Sequence, residues 1–172
     1  RTGAMYMEDV HRKALMILAE GLCGVGLING SAEDAVAAGA MFLFMPHGLS
    51  HGMGIDVHDC EAIGERSYDF SAIAERAAQE ATCVHRASWR LRAGTVMSNE
   101  PGIYFIPALI DKSRNEGLYR GIVNYDKLDS YRDFGGIRIE DDVIVTESGG
   151  VVIGGDKKIP VTVEELEAVV GK

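Results

Sequence analysis

Two periodicities divide the chain. From Met7 to about Leu22 apolar residues recur at helical spacing. Val10, Ala14, Ile17 and Leu18 share a face, and Glu8, Arg12 and Lys13 lie outward. His11 falls in this helix and reads as a partly exposed or internally satisfied structural residue. Gly24, Gly26 and Gly30 break the pattern. Ser31 with Asp34 makes a variant capping box and opens a short alanine-rich helix to about Phe42. Beyond a harder stretch at 61–84, where Ile73, Ala77 and Ala81 could line a helix face, the period becomes two. Thr95–Phe105 predicts a strand bent at Pro101-Gly102. Gly135–Thr146 is the cleanest strand. It places Arg138, Glu140 and Asp142 on one face and Ile137, Ile139, Val143 and Val145 on the other. Ile106–Phe134 is polar and aperiodic, which predicts a long surface connection. Glycines at 149, 150, 154 and 155 predict turns. Thr162 with Glu165 caps a last helix whose apolar side is Leu166, Val169 and Val170.

Composition narrows the class. A chain of 172 residues, 47% hydrophobic, supports one globular domain with its own core. A net charge of −9 disfavours a nucleic-acid partner. No apolar run is long enough to span a bilayer, so no membrane role is expected. Cys23, Cys60 and Cys83 are scattered and odd in number, which disfavours a disulfide framework or zinc ribbon and points to a cytoplasmic setting.

The stretch FMPHGLSHGMGIDVHD, Phe44 to Asp59, concentrates the candidate chemistry. It holds His47, His51 and His58 among Gly48, Gly52 and Gly54. Imidazole is the commonest protein metal ligand and proton shuttle, and glycine lets backbone approach a ligand closely. His47 and His51 have the spacing of a zinc-binding helix, but the glycines oppose a helix. In a regular strand His51 and His58 would point to opposite faces. A turn or bulge at Gly52 and Gly54 is needed to bring them together. The alternative is a glycine-rich loop with surface histidines.

Two carboxylates extend the group. Glu100 precedes the Pro101-Gly102 bend, which fixes its backbone. Glu140 lies on a strand whose other face is apolar, so it needs either Arg138 or a metal as partner. His51, Glu100 and Glu140 together suit Mn²⁺, Co²⁺ or Zn²⁺.

PHGLSHGMGIDVHD, SNEPGIYF and GGIRIEDDVIVTESG resemble the three signature blocks of the pita-bread metallopeptidases, in the correct order. The resemblance covers nearly the whole chain. MEDVHRKA, HRASWRLRAG, YFIPALID and IPVTVEELEA fit the prolidase branch, with aminopeptidase P the next in likeness. The resemblance implies an α+β pita-bread catalytic domain, with a curved, mostly antiparallel sheet and outer helices. It implies hydrolysis of the peptide bond before proline by water activated between two divalent metals, manganese first among them. It makes His51, Glu100 and Glu140 metal ligands, with Glu100 also handling the proton of the attacking water. His58 would bind substrate and stabilise the tetrahedral intermediate, His47 would line the pocket, and Arg138 would support the constellation and the substrate. Arg86 falls where prolidases place an arginine for the dipeptide carboxylate. Its alternative is a surface basic cluster with Arg90 and Arg92. The implied partners are a small peptide with proline second and another copy of the chain in a homodimer.

Two departures from the family pattern stand out. Asn99 replaces an apolar residue before Glu-Pro-Gly. The family's two metal-binding aspartates and its earlier catalytic histidine have no counterpart: Asp9 and Asp34, upstream of Phe44, fall in helical readings. Residues 1–172 are therefore expected to be one domain, the C-terminal part of a pita-bread catalytic domain, without the N-terminal domain and first catalytic strands. Such a chain should hold at most one metal, weakly, and be inactive alone. The rivals are aminopeptidase P chemistry on longer peptides and a non-catalytic pita-bread binding module.

Overall fold

The computed structural model describes residues 5–59, 90–157 and 159–171. Helix α1, Met7–Gly24, opens where Asp9 Oδ2 accepts the Tyr6 N–H (2.8 Å). It ends where Gly26 takes φ 70° and the Leu27 N–H reaches Leu22 O (2.9 Å), a closure that favours glycine. Its buried stripe is Met7, His11, Leu15, Ala19 and Leu22. Val10, Ala14 and Leu18 only flank that stripe, and Ile17 is exposed. The expected face is thus rotated. Counting His11 as polar misplaced it: His11 Nδ1 accepts the Leu49 N–H (3.1 Å), which makes a buried imidazole affordable.

Ser31 caps helix α2, Ala32–Ala37, by accepting the Asp34 N–H. The helix stops short of Phe42 because Gly39 turns left-handed (φ 73°), and a 3₁₀ turn, Ala40–Leu43, follows. Helices α1 and α2 pack together, with Leu27, Met41 and Phe44 filling the core beside them.

The strands are β1, Val96–Asn99; β2, Gly102–Tyr104; β3, Gly136–Arg138; β4, Asp141–Thr146; and β5, Gly149–Val152. Among the described residues the strands pair antiparallel, in the orders β1-β4-β5 and β2-β3. The segment Leu49–Met53 runs along the free side of β1. Its carbonyls at Leu49 and His51 accept the N–H groups of Glu100 and Ser98, and its Met53 N–H donates to Val96 O.

Three sequence expectations need correction here. Gly135–Thr146 is two strands, broken at Ile139-Glu140 opposite Pro101. Its apolar face is covered only in part: Val145 is buried, whereas Ile137 and Ile139 are 57% and 54% exposed. Gly149 and Gly150 belong to β5, not to a turn.

The run 106–134 is also more than an irregular connection. It contains α3, Pro107–Asn115; α4, Tyr125–Leu128; and a 3₁₀ turn, Asp129–Tyr131. Pro107 starts a helix because its missing N–H and fixed φ suit the first turn. Few apolar side chains suffice to anchor the segment, chiefly Ile110, Val123 and Leu128. Arg132 ties Asp111 to Asp129, and Arg114 also reaches Asp129 (2.8 Å). The last helix, α5, Val163–Val170, carries the expected Thr162–Glu165 capping box, but Leu166, Val169 and Val170 face solvent. The helix read over Ile73, Ala77 and Ala81 lies outside the described residues.

Candidate metal centre

Register explains why the carboxylates meet. Asn99 opposes Asp141 across β1–β4, and Gly102 opposes Arg138 across β2–β3. The ladder keeps the same register through the break, so Glu100 falls opposite Glu140. Ile139 N–H donates to Pro101 O (3.1 Å), but Pro101 has no N–H to return. Alternation then makes Glu100 and Glu140 a non-hydrogen-bonded pair, the kind whose side chains lie closest.

On the other side of β1, Gly52 bridges to Met97, which sets His51 beside Ser98. Period two puts Ser98 and Glu100 on the His51 face. Met97 and Asn99 line a cavity of about 310 Å³ on the opposite face, with Val143 and Val145. Asn99 therefore departs from the family pattern away from the candidate centre.

The ligand atoms of His51, Glu100 and Glu140 all lie within 4.8 Å of one another. His51 and Glu100 are 2% and 7% exposed, while Glu140 is open to solvent. His51 Nδ1 sits 3.1 Å from Gly52 O, which fixes the proton there in the neutral ring. Nε2 is then a bare acceptor facing another acceptor, Glu100 Oε1, at 3.3 Å. That contact is favourable only with a proton or a cation between the two. Glu100 Oε1 also accepts from Ser98 Oγ (3.1 Å), and Oε2 accepts from Arg138 Nη1 (3.0 Å). Arg138 is thus the diagonal partner of Glu100; no ion pair to Glu140 occurs among the described residues.

The other expected residues gather around this group. His58 reaches His51 through the turn at Gly54, their ring centroids 4.3 Å apart. Asp59 fills the space that a side chain at position 54 would need. His47 repeats the local device of His51, with Nδ1 2.8 Å from Gly48 O. Its Nε2 is buried without a partner among the described residues. Arg86 lies outside the described residues.

Sequence reasoning missed two residues. Tyr104 donates nothing to the core: its hydroxyl accepts from Arg138 Nε (2.6 Å), and its ring meets His47 edge-on at 5.4 Å. It fits because Gly102 and Gly136 leave room, a Cβ at Gly102 falling 2.7 Å from the ring. Ser98 is the second. Period two from Glu100 could have flagged both, since 98, 100, 102 and 104 share a face.

The donor set fits a divalent cation. Two carboxylates and an imidazole offer hard and borderline ligands, and the opposed carboxylates repel unless a cation lies between them.

These blocks define a metallopeptidase fold. The profile of metallopeptidase family M24 matches residues 3–147, and the chain belongs to that family. It is 38% identical to Xaa-Pro dipeptidase of Homo sapiens over 95% of its length, and 35% identical to a probable Xaa-Pro aminopeptidase of Verticillium alfalfae over 95%. It spans 31% and 33% of those two proteins, about a third of the curated relatives it matches. Among solved structures, Escherichia coli aminopeptidase P with the inhibitor Pro-Leu superposes with a TM-score of 0.59 at 28% identity, over 95% of this chain and 28% of that one. The zinc-substituted form of that enzyme in complex with product gives 0.59 at 29%. The α+β pita-bread expectation holds.

Proposed function

We propose that this chain carries the C-terminal part of the catalytic centre of a proline-specific metallopeptidase, an Xaa-Pro dipeptidase that cleaves the bond before proline. The observation that carries the reading is the convergence of His51, Glu100 and Glu140 within 4.8 Å across three neighbouring segments. The names of the relatives supply the substrate class.

His51 Nε2 and one oxygen each of Glu100 and Glu140 would hold the ion, with manganese the first choice and cobalt or zinc the alternatives. A divalent cation there supplies Lewis acidity, which lowers the pKa of water and polarises a carbonyl. The residues of the chain do the rest. Glu100, held by Ser98 and Arg138, takes the proton of the attacking water on its carboxylate. His58, solvent-exposed beside His51, meets the substrate and donates to the oxygen that gains charge. His47 Nε2 accepts a hydrogen bond from a substrate N–H at the pocket wall. Arg86 remains the candidate anchor for a dipeptide carboxylate, the feature that would separate dipeptidase from aminopeptidase P. The cytosol is the proposed compartment, and a homodimer the proposed assembly.

Charge sets the stoichiometry. Two carboxylates match the charge of one divalent cation and not two, and Arg138 offsets part of even that. Calorimetric titration of the chain with Mn²⁺ should give one weak site per chain, abolished by Glu140→Gln, with no proline released from Xaa-Pro dipeptides. Two tight sites, or steady turnover, would overturn this ligand assignment. No binding at all would leave the three residues as a charge cluster and remove the metal reading.

A further inference from the structure

We propose that Ser98 is a positioning residue for the metal centre, its one hydroxyl locking both the imidazole-bearing segment and a ligand carboxylate. The inference rests on the metal reading above and adds a residue to it.

Ser98 is wholly buried, at 0% exposure. Its backbone already serves the sheet, with its N–H donating to His51 O (3.1 Å). The side chain is therefore not needed for pairing. Instead Oγ accepts the His51 N–H (3.0 Å) and gives its own proton to Glu100 Oε1 (3.1 Å). A hydroxyl has one proton, so the direction of the relay is set: a backbone N–H can only donate, and a carboxylate can only accept. The polarity runs from the His51 backbone, through Ser98, to the oxygen that faces His51 Nε2.

Three consequences follow from this geometry. The Glu100 carboxylate is gripped at both ends, by Ser98 at Oε1 and by Arg138 at Oε2, so it cannot rotate about its terminal bond. The same hydroxyl draws the His51 backbone toward β1 at the residue whose ring must face Glu100, replacing a ladder bond that the irregular Leu49–Met53 segment does not form there. Finally, the donor that meets Oε1 carries no charge of its own. A cation arriving there meets an oriented ligand without a second positive group to repel it, unlike the Arg138 end. Groups that orient metal ligands in this way typically change affinity 10–100-fold when removed.

The test uses three chains: the parent, Ser98→Ala and Ser98→Thr. Mn²⁺ affinity is read by calorimetry, the ligand field by the visible spectrum of the Co²⁺-loaded chain, and folding by circular dichroism melts without metal. Ser98→Ala should weaken Mn²⁺ binding about 10-fold or more and shift the Co²⁺ bands. Ser98→Thr keeps the hydroxyl and should return affinity to within about 3-fold of the parent, with the parental spectrum. A purely structural serine would lower the melting temperature and leave the Co²⁺ spectrum of the folded fraction unchanged; that result overturns the proposal. So does a Ser98→Ala chain that never folds, or one that binds as the parent does. A parent chain that binds neither ion fails the metal reading itself, which is a separate outcome from equal binding by parent and variant.

Discussion

Replacing Arg138 by glutamine should pull stability and metal response in opposite directions. In the unloaded chain the guanidinium donates from Nη1 to Glu100 Oε2 (3.0 Å) and from Nε to the Tyr104 hydroxyl (2.6 Å). The side chain of Glu100 is 9% exposed and that of Arg138 40%. Exposed pairs contribute less than about 1 kcal/mol, whereas orphaning a buried charge costs about 3–5 kcal/mol. Water reaches the arginine end, so we expect a loss of about 2 kcal/mol. For a chain of this length that is a fall of roughly 4–8 °C in melting temperature. With metal the sign reverses. Arg138 is a cation competing for the same carboxylate. Removing it frees Oε2 and removes a repulsion worth about 1 kcal/mol at the well-screened end of the Coulomb range. Mn²⁺ should therefore bind about 5-fold more tightly to Arg138→Gln and raise its melting temperature by more than it raises the parent's. Arg138→Lys keeps the charge but not the fork, and should lose stability without gaining affinity. The assay is a thermal melt of each chain across a Mn²⁺ series at 0.15 M ionic strength. A weaker metal response in Arg138→Gln than in the parent would refute the charge argument and leave Arg138 as an orienting group only.

Acid should weaken the α3–α4 staple. Hydrogen bonds from Arg132 hold the Asp111 and Asp129 carboxyls below their ordinary value, with Arg114 adding to the effect at Asp129. Their contribution is present above the unfolded carboxylate pKa and is lost as pH falls through the lowered folded values. Melts between pH 6 and 2 should therefore steepen in the parent and flatten in Arg132→Met; parallel curves would contradict this. Gly136→Ala drives a Cβ into the Tyr104 ring and against Ile103 O (3.0 Å), so urea unfolding should show a loss of about 1–3 kcal/mol and weakened Mn²⁺ binding. His11→Leu orphans the buried Leu49 N–H and should cost about 1–3 kcal/mol in the same assay, with the metal site otherwise intact.

Much of the candidate site was legible in the sequence because its residues sit on periodic or punctuated segments. The Pro101-Gly102 bend, the glycine turn between His51 and His58, and the shared face of Arg138 and Glu140 all follow from period two and turn chemistry. What escaped was pairing across segments. No local pattern says that Arg138 serves Glu100 rather than Glu140, because the choice depends on register. Helix α3 escaped because Pro107 signals a break as readily as a first turn, and so few of its residues are apolar. The α1 face was misjudged for the opposite reason. Apolar residues cover most of its circumference, so the buried stripe was settled by what packs against it, including the Leu49 N–H that made room for His11.

The break in the sheet and the metal centre have one cause. A continuous antiparallel pair would place Glu100 and Glu140 face to face, a like-charge contact that destabilises a strand pair. Pro101 removes a ladder donor at the next position, so only the bond from Ile139 N–H to Pro101 O remains there while register is kept on both sides. Backbone freed from the ladder can tilt the two carboxylates toward one point, and the repulsion that would disrupt a sheet becomes affinity for a cation. Glycine at 102 and 136 then makes room for Tyr104, which steadies Arg138, set diagonally against Glu100. Moving the proline to position 102 would restore the two-bond exchange between Ile139 and residue 101 and take the missing N–H to a non-hydrogen-bonded level, where β3 does not need it.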